Sequence, residues 1–346
     1  MDIEYLLLLQ RLREAAGAVL TPLMELVSEL AASSVTIGAA AFIFWAVDRH
    51  FGGFLMLNYV GSSLLTQIAK LTACVYRPWV RDSRVYPVIT ALDTATGYSF
   101  PSGHTQSATA IYGSVGLWYG RKRRWLAVLM VIMVLLTAFS RNYLGVHTPQ
   151  DVLAGMALTG GYLWLNGKVA ARLERQPNFD KTVAAVGMAA ALAAVVWFSC
   201  KSYPLDYVDG ALLVDPEAMM EDGFMAAGMV FGFYPGWLIE RRWLRFSTAQ
   251  RSAGQYLLAA AALVPMLLIY KLLPGLLAGL TGPLWAEFLS CALLAFYVMA
   301  LVPALICRLQ KRQKHSLKAS NREAFCFSAR FFDKMAGSLK KSQIHP

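Results

Sequence analysis

Nine apolar stretches, several close to 20 residues long, run through this chain and leave it few ways to fold. They fall at about residues 34–47, 52–75, 101–120, 125–140, 149–168, 182–200, 222–239, 253–273 and 284–307. A helix of about 20 residues crosses a hydrocarbon layer about 30 Å thick, and lipid cannot satisfy an open strand edge. The pattern predicts an all-α, polytopic transmembrane helix bundle of about nine spans. Composition agrees: 57% of the 346 residues are hydrophobic and 15% charged, against roughly 25% charged in soluble domains. The net charge of +11 does not indicate nucleic acid. The basic residues cluster at the ends of apolar runs, as in a protein whose partner is the bilayer.

Residues 2–31 read differently. Arg11, Arg13, Glu14, Glu25 and Glu29 interrupt the Leu/Val pattern, which predicts an amphipathic interfacial helix broken near Pro22. The alternative is a first span over about 15–36, which would place Glu25 and Glu29 in hydrocarbon. The expected organisation is an interfacial helix at 1–31, a core at 32–172, additional transmembrane helices at 173–310 and a basic cytoplasmic tail at 311–346. Cys74, Cys200, Cys291, Cys307 and Cys326 have neither metal-ligand nor CxxC spacing, so neither a disulfide framework nor a metal is expected. The N-terminus has an early acid and no basic n-region, so no signal peptide is read there.

Basic loops set the predicted orientation. Arg121-Lys122-Arg123-Arg124 is the strongest cytoplasmic marker. Basic residues around 168–181, 241–251 and 308–314 fall on the same side if nine spans are correct. The loop holding Asp206, Asp209, Asp215, Glu217, Glu221 and Asp222 falls on the other, where a solvated loop, a cation site and substrate steering are all open readings.

Three polar clusters lie between Lys70 and Asp151. The first is Lys70 with Arg77-Pro78; the second is Pro101-Ser102-Gly103-His104; the third is Ser140-Arg141, His147 and Asp151. The predicted topology brings all three to the face opposite 121–124. His147 and Asp151, four residues apart, can meet if Pro149 opens a helix. The pair fits a nucleophilic imidazole oriented by a carboxylate, or a loop cap beside a helix start. His104 follows a small-residue helix start, where backbone N–H groups bind anions; it can act as a general acid or simply cap a turn. Lys70, Arg77 and Arg141 supply cations suited to phosphate oxygens, although Lys70 and Arg77 could also snorkel. The joint placement fits phosphoryl transfer to histidine, with fixed cations stabilising the phosphoryl oxygens.

These clusters resemble the three-part signature of the type 2 phosphatidic acid phosphatase family, integral membrane lipid phosphatases related to vanadium haloperoxidases. Every defining position is matched: Lys70, Arg77, Pro78; Pro101, Ser102, Gly103, His104; Ser140, Arg141, His147, Asp151. The resemblance covers about residues 35–170. It implies His147 as nucleophile, Asp151 as its partner and His104 as acid. Lys70, Arg77, Ser102, Gly103 and Arg141 would bind the phosphate. It further implies hydrolysis of a lipid phosphate monoester or pyrophosphate through a phosphohistidine, with no metal or cofactor. The expected site is at the extracytoplasmic face of the plasma (inner) membrane. The stretch from Ser140 to Gly155 also looks like the sphingosine-1-phosphate phosphatase branch. The half beyond residue 180 departs from the family core and could serve lipid entry or a homodimer. Other readings are an anionic-lipid transporter or flippase, a lipid phosphotransferase using the same histidine, and, ranked last, a vanadate-dependent oxidase.

Overall fold

Capping residues and prolines divide the apolar chain into helices. A computed structural model describes residues 2–32, 34–208, 210–249 and 252–313. The tail from 314 onward with Cys326, and also Asp209 and Arg251, lie outside the described residues.

The first helix, α1 (Asp2–Ala32), is followed by α2 (Ser34–Phe42) and a π-helical turn (Ile43–Val47). Helix α3 (Arg49–Ala73) starts where the Asp48 carboxylate accepts from the backbone N–H groups of His50 and Phe51, at 2.9 and 3.0 Å. It ends at Cys74, in the left-handed region at φ 48°. Two single turns follow, α4 (Pro78–Arg81) and α5 (Ile89–Leu92). Next come α6 (Gly103–Tyr119), α7 (Arg124–Tyr143) and α8 (Pro149–Arg175). The second half holds α9 (Phe179–Cys200), a hairpin of β1 (Tyr207–Val208) and β2 (Ala211–Leu212), and α10 (Pro216–Ile239). A π-turn (Glu240–Leu244), α11 (Ala253–Thr281), α12 (Pro283–Phe296) and a last π-turn (Tyr297–Leu301) complete the labelled elements. The fold is an all-α transmembrane bundle.

Among the described residues, five helices are long and apolar enough to cross a membrane: Asp2–Ala32, Arg124–Tyr143, Phe179–Cys200, Ala253–Thr281 and Pro283–Gln313. By length and apolarity alone, five described helices qualify as spans, against the nine apolar stretches expected. Helix α6, with 17 residues, and the apolar stretch Val35–Val47 are shorter than these, and α3, α6 and α8 carry buried polar groups. On α3, Asn58, Ser62, Thr66 and Lys70 recur every four residues and are all buried. Gln106 Nε2 donates to Ser62 Oγ at 2.8 Å, Asn58 Nδ2 to Ser114 Oγ at 2.9 Å and Asn166 Nδ2 to Asn58 Oδ1 at 2.7 Å. Such interhelical bonds tie α3, α6 and α8 together where lipid offers no hydrophobic drive.

The N-terminal helix corrects the expectation of a break. It continues through Pro22, and its Met24, Val27, Ser28 and Ala31 are buried. Within a bundle, neighbouring helices and local adjustments offset the N–H that proline lacks. The helix packs on α7 and α6, so it meets the length and apolarity of a span.

One large core joins α2, α3, α9, α10, α11 and α12, and a smaller one joins α1, α7 and the segment around Ala91–Ala95. Helix α10 meets α12 through Gly228 and Gly232, where an added Cβ would come within 2.2 Å of the Phe288 carbonyl oxygen and 1.9 Å of that of Ala292. Small residues spaced by four permit this backbone approach. Lys70, His104 and Asp151 all lie at one end of the bundle; Arg121–Arg124 and Arg241–Arg242 lie at the other.

Candidate active site

Four helix ends converge on the histidines: the C-terminal ends of α3 and α7 and the N-terminal ends of α6 and α8. The α7–α8 turn carries His147, which is only 2% exposed. Asn142 Nδ2 donates to its carbonyl oxygen at 2.9 Å and fixes the turn. Helix α8 opens with Pro149 and a capping box: Thr148 Oγ1 accepts from Asp151 N–H, and Asp151 Oδ2 accepts from Thr148 N–H at 2.8 Å. This brings the Asp151 carboxylate to the imidazole, with Oδ2 3.4 Å from His147 Nδ1.

The other ring nitrogen faces Arg77, whose Nη1 lies 3.0 Å from His147 Nε2. A guanidinium can only donate, so Nε2 is the accepting nitrogen and the proton belongs on Nδ1, toward Asp151. That tautomer presents the Nε2 lone pair, as a nucleophile requires. Arg77 is itself buried and donates to three carbonyl oxygens: Thr96 at 2.8 Å, Gly97 at 3.0 Å and Val146 at 2.9 Å. Burial pushes its pKa down to about 10, opposed by the Asp151 carboxylate. Burial first, and then the Arg77 charge, hold the His147 pKa well below the ordinary histidine value. A neutral imidazole results.

Arg141 at the end of α7 is 1% exposed. Its Nη1 donates to Ser28 Oγ of α1 at 2.8 Å, whereas its buried Nε and Nη2 have no hydrogen-bond partner among the described residues. Buried donors without partners are costly, and two on one guanidinium fit an absent anion. Lys70 Nζ donates to the Tyr98 carbonyl at 3.0 Å. Ser102 caps α6, with its Oγ accepting from Thr105 N–H, and its own N–H donates to the Asp151 carbonyl at 3.0 Å. A Cβ on Gly103 would meet nothing within 4 Å, so the protein leaves open space at this helix start, where N–H groups bind anions. Half-buried His104 has the cations Arg141, Arg77 and Lys70 and the His147 ring as its electrostatic neighbours. All eight residues singled out in the sequence therefore come together.

Other contributors were not anticipated. Ser99 Oγ donates to Asp151 Oδ2 at 2.6 Å and lies 3.4 Å from His147 Nδ1. Ser28 comes from α1, 113 residues before Arg141. Asp222 of α10 is a charged neighbour of Lys70, and Met219 occupies the space a side chain on Gly97 would need. The second half of the chain thus packs against the site. Thr148 could have been found in the sequence as the cap preceding Pro149 and Asp151; Ser99 had no comparable signal.

The comparisons with known proteins agree with this geometry. The family model of the PAP2 superfamily matches residues 51–173, and that of the PAP2 superfamily phosphatase transmembrane extension matches 224–314. The chain is similar to an undecaprenyl-diphosphatase of Sulfolobus acidocaldarius, 31% identical over 41% of this chain and 66% of that protein. It is similar to phosphatidylglycerophosphatase B of Bacillus subtilis, 29% identical over 40% of this chain and 70% of the relative. Human sphingosine-1-phosphate phosphatase 2 is 25% identical over 56% of this chain and 46% of its own length. Thus the chain spans about two thirds of the first two curated relatives and less than half of the third. No solved structure matches the chain. With one family model covering the whole assembled histidine site and the other the helices that follow it, the chain belongs to the PAP2 superfamily of phosphatases and carries its transmembrane extension.

Proposed function

We propose that this protein hydrolyses a lipid phosphate monoester or pyrophosphate through a phosphohistidine at His147, at the extracytoplasmic face of the plasma membrane. The observation that carries the reading is the pair of unpartnered Arg141 nitrogens beside a histidine whose accepting Nε2 faces the same cluster. Phosphate oxygens would take up the Arg141 donors, and Arg77 Nη1 would turn from Nε2 to the phosphate. Nε2 attacks phosphorus as the bond to the leaving oxygen breaks, and protonated His104 gives that oxygen its proton. Asp151 stabilises the positive charge that develops on the His147 ring. Water then attacks phosphorus, His104 takes its proton, the P–N bond breaks and inorganic phosphate leaves. Lys70, Arg77, Arg141 and the α6 N–H groups stabilise the charge on the equatorial oxygens.

The relatives are named for undecaprenyl diphosphate, phosphatidylglycerophosphate and sphingosine-1-phosphate chemistry, which supports a substrate among lipid phosphates and diphosphates. The basic turn at Arg121–Arg124, at the far end of the bundle, supports an extracytoplasmic site.

The test is phosphate release from a panel of these lipid classes by purified protein, with chelator present and His147→Ala as control. Radiolabelled phosphate should become attached to wild type in an acid-labile, alkali-stable bond and not to His147→Ala. A His147→Ala protein as active as wild type would sink the mechanism. Orientation is read separately: a cysteine replacing Lys122 should react only with membrane-permeant reagents in intact cells.

A further inference from the structure

A cavity of about 710 Å³ opens at the end of the bundle away from the histidines. Its wall includes Gly53 of α3, which is 17 residues before Lys70 and so about 25 Å away along the helix. The catalytic groups therefore do not account for it.

Four arginines line this cavity: Arg49, Arg241, Arg242 and Arg245. The two buried carboxylates among them are already engaged. Glu240 is 2.9 Å from Arg49, and Asp180 lies 2.5 Å from Arg242 and 3.5 Å from Arg241. Among the described residues Arg245 has no carboxylate within ion-pair distance, although Glu240 is a more distant charged neighbour; its Nε donates to the Arg241 carbonyl at 3.1 Å and its side chain is exposed at the cavity. The π-turn at Glu240–Leu244 ends with Arg245 at φ 46°, a left-handed conformation that costs a non-glycine residue energy and recurs at ligand sites. The other walls mix apolar and aromatic side chains with His50, Asn166, Asn178 and a third, exposed carboxylate, Glu174. Trp118 of α6 and Trp237 of α10 both line the cavity, and the Arg241 guanidinium sits 5.7 Å from the Trp237 ring. Arginine beside tryptophan at the ends of membrane helices marks the interfacial layer, where lipid headgroups lie. The volume falls in the range of small-ligand sites, roughly 300–1,000 Å³.

We propose that this cavity is a second anion site, which binds the phosphate headgroup of an anionic phospholipid at the membrane face opposite the catalytic histidines. Arg245 supplies the unpaired fork for the phosphodiester, Arg241 and Arg242 border it, and Trp118 and Phe54 cover the glycerol and first methylenes. The ion pairs of Asp180 and Glu240 hold Arg49, Arg241 and Arg242 in place and offset those two acids, which leaves Arg245 against the exposed Glu174 at the rim.

Arg245→Gly separates this site from the fold, because glycine adopts the left-handed conformation without strain. The full-length protein in mild detergent is offered short-chain phosphatidylglycerol, short-chain phosphatidylcholine or inorganic phosphate, and bound ligand is counted by native mass spectrometry. Phosphatidylglycerol should bind in preference to the other two. Its binding should weaken about fivefold or more in Arg245→Gly, less in Arg245→Lys, and not at all in the catalytic-site variant Arg141→Ala. Loss in Arg141→Ala with retention in Arg245→Gly would assign the lipid to the catalytic site and overturn the proposal. Equal binding of phosphatidylcholine, or of inorganic phosphate, would overturn the headgroup assignment.

Discussion

Ser99 donates a 2.6 Å hydrogen bond to Oδ2 of Asp151, the same oxygen that accepts from Thr148 N–H at 2.8 Å and faces His147 Nδ1 at 3.4 Å. One carboxylate oxygen therefore serves the helix cap, the hydroxyl and the catalytic ring. A hydrogen bond to a charged group contributes about 1.5–3 kcal/mol. If that orientation is lost in the transition state, Ser99→Ala should lower kcat roughly ten- to hundredfold. A soluble phosphate ester gives the measurement: kcat should fall with little change in KM, since Ser99 does not face the phosphate. A rise in KM alone would mean that Ser99 positions substrate instead.

The cationic and histidine groups of this site were legible because ionised residues at the ends of apolar spans have few structural uses. Lys70, Arg77, His104, Arg141, His147 and Asp151 are all of this kind. Ser99 and Ser28 were hidden because small hydroxyls are ordinary glue between membrane helices. The partners of Arg77 were hidden for a deeper reason: they are the backbone carbonyls of Thr96, Gly97 and Val146, which carry no side-chain identity. Pro22 misled the reading of α1 because a proline that ends a helix in water can be carried through one that packs in a bundle. Helices α3, α6 and α8 read in the sequence only as apolar stretches, because packing alone shows that their polar residues meet one another.

Arg141 tests the anion reading directly. Its Nε and Nη2 lack partners, so an anion that fills the site should stabilise the folded protein. Vanadate or phosphate at 100 times its Kd would add about 2.7 kcal/mol to the stability of wild type. Thermal unfolding in detergent should show this shift for wild type and lose it in Arg141→Ala. Arg141→Lys keeps the charge but not the two-pronged geometry, and should retain only a fraction of the shift. Equal shifts in all three proteins would place the anion elsewhere.

The pH dependence follows from His147, which lies in the turn outside the helices. Burial and then Arg77 push its pKa well below the usual histidine value, so protonation of the nucleophile is delayed to more acidic solution. The acid limb of kcat/KM governed by this ring should lie below about pH 6.5. Arg77→Gln removes one of the depressing charges, so the limb should move to higher pH while the overall rate falls. For stability, the folded state binds the proton less readily than the unfolded chain. The contribution is intact above about pH 6.5 and is lost as pH falls from there toward the lower folded-state value. A pH–rate profile whose acid limb is unmoved in Arg77→Gln would contradict this electrostatic coupling.

Gly232 tests how α10 and α12 hold the extension together. A Cβ there would lie 1.9 Å from the Ala292 carbonyl oxygen and 2.6 Å from its carbon, so the backbones must separate to admit even alanine. Overpacking of this kind costs about 1–3 kcal/mol. Gly275 on α11 is the matched control, because a Cβ there would meet nothing within 4 Å. Gly232→Ala should lower the unfolding midpoint in detergent, whereas Gly275→Ala should leave it unchanged or raise it slightly, as helix propensity favours alanine. The histidines lie in the other half of the chain, so the folded fraction of Gly232→Ala should keep most of its activity per molecule. Equal midpoints for the two variants would show that α10 and α12 are not in backbone contact at Ala292.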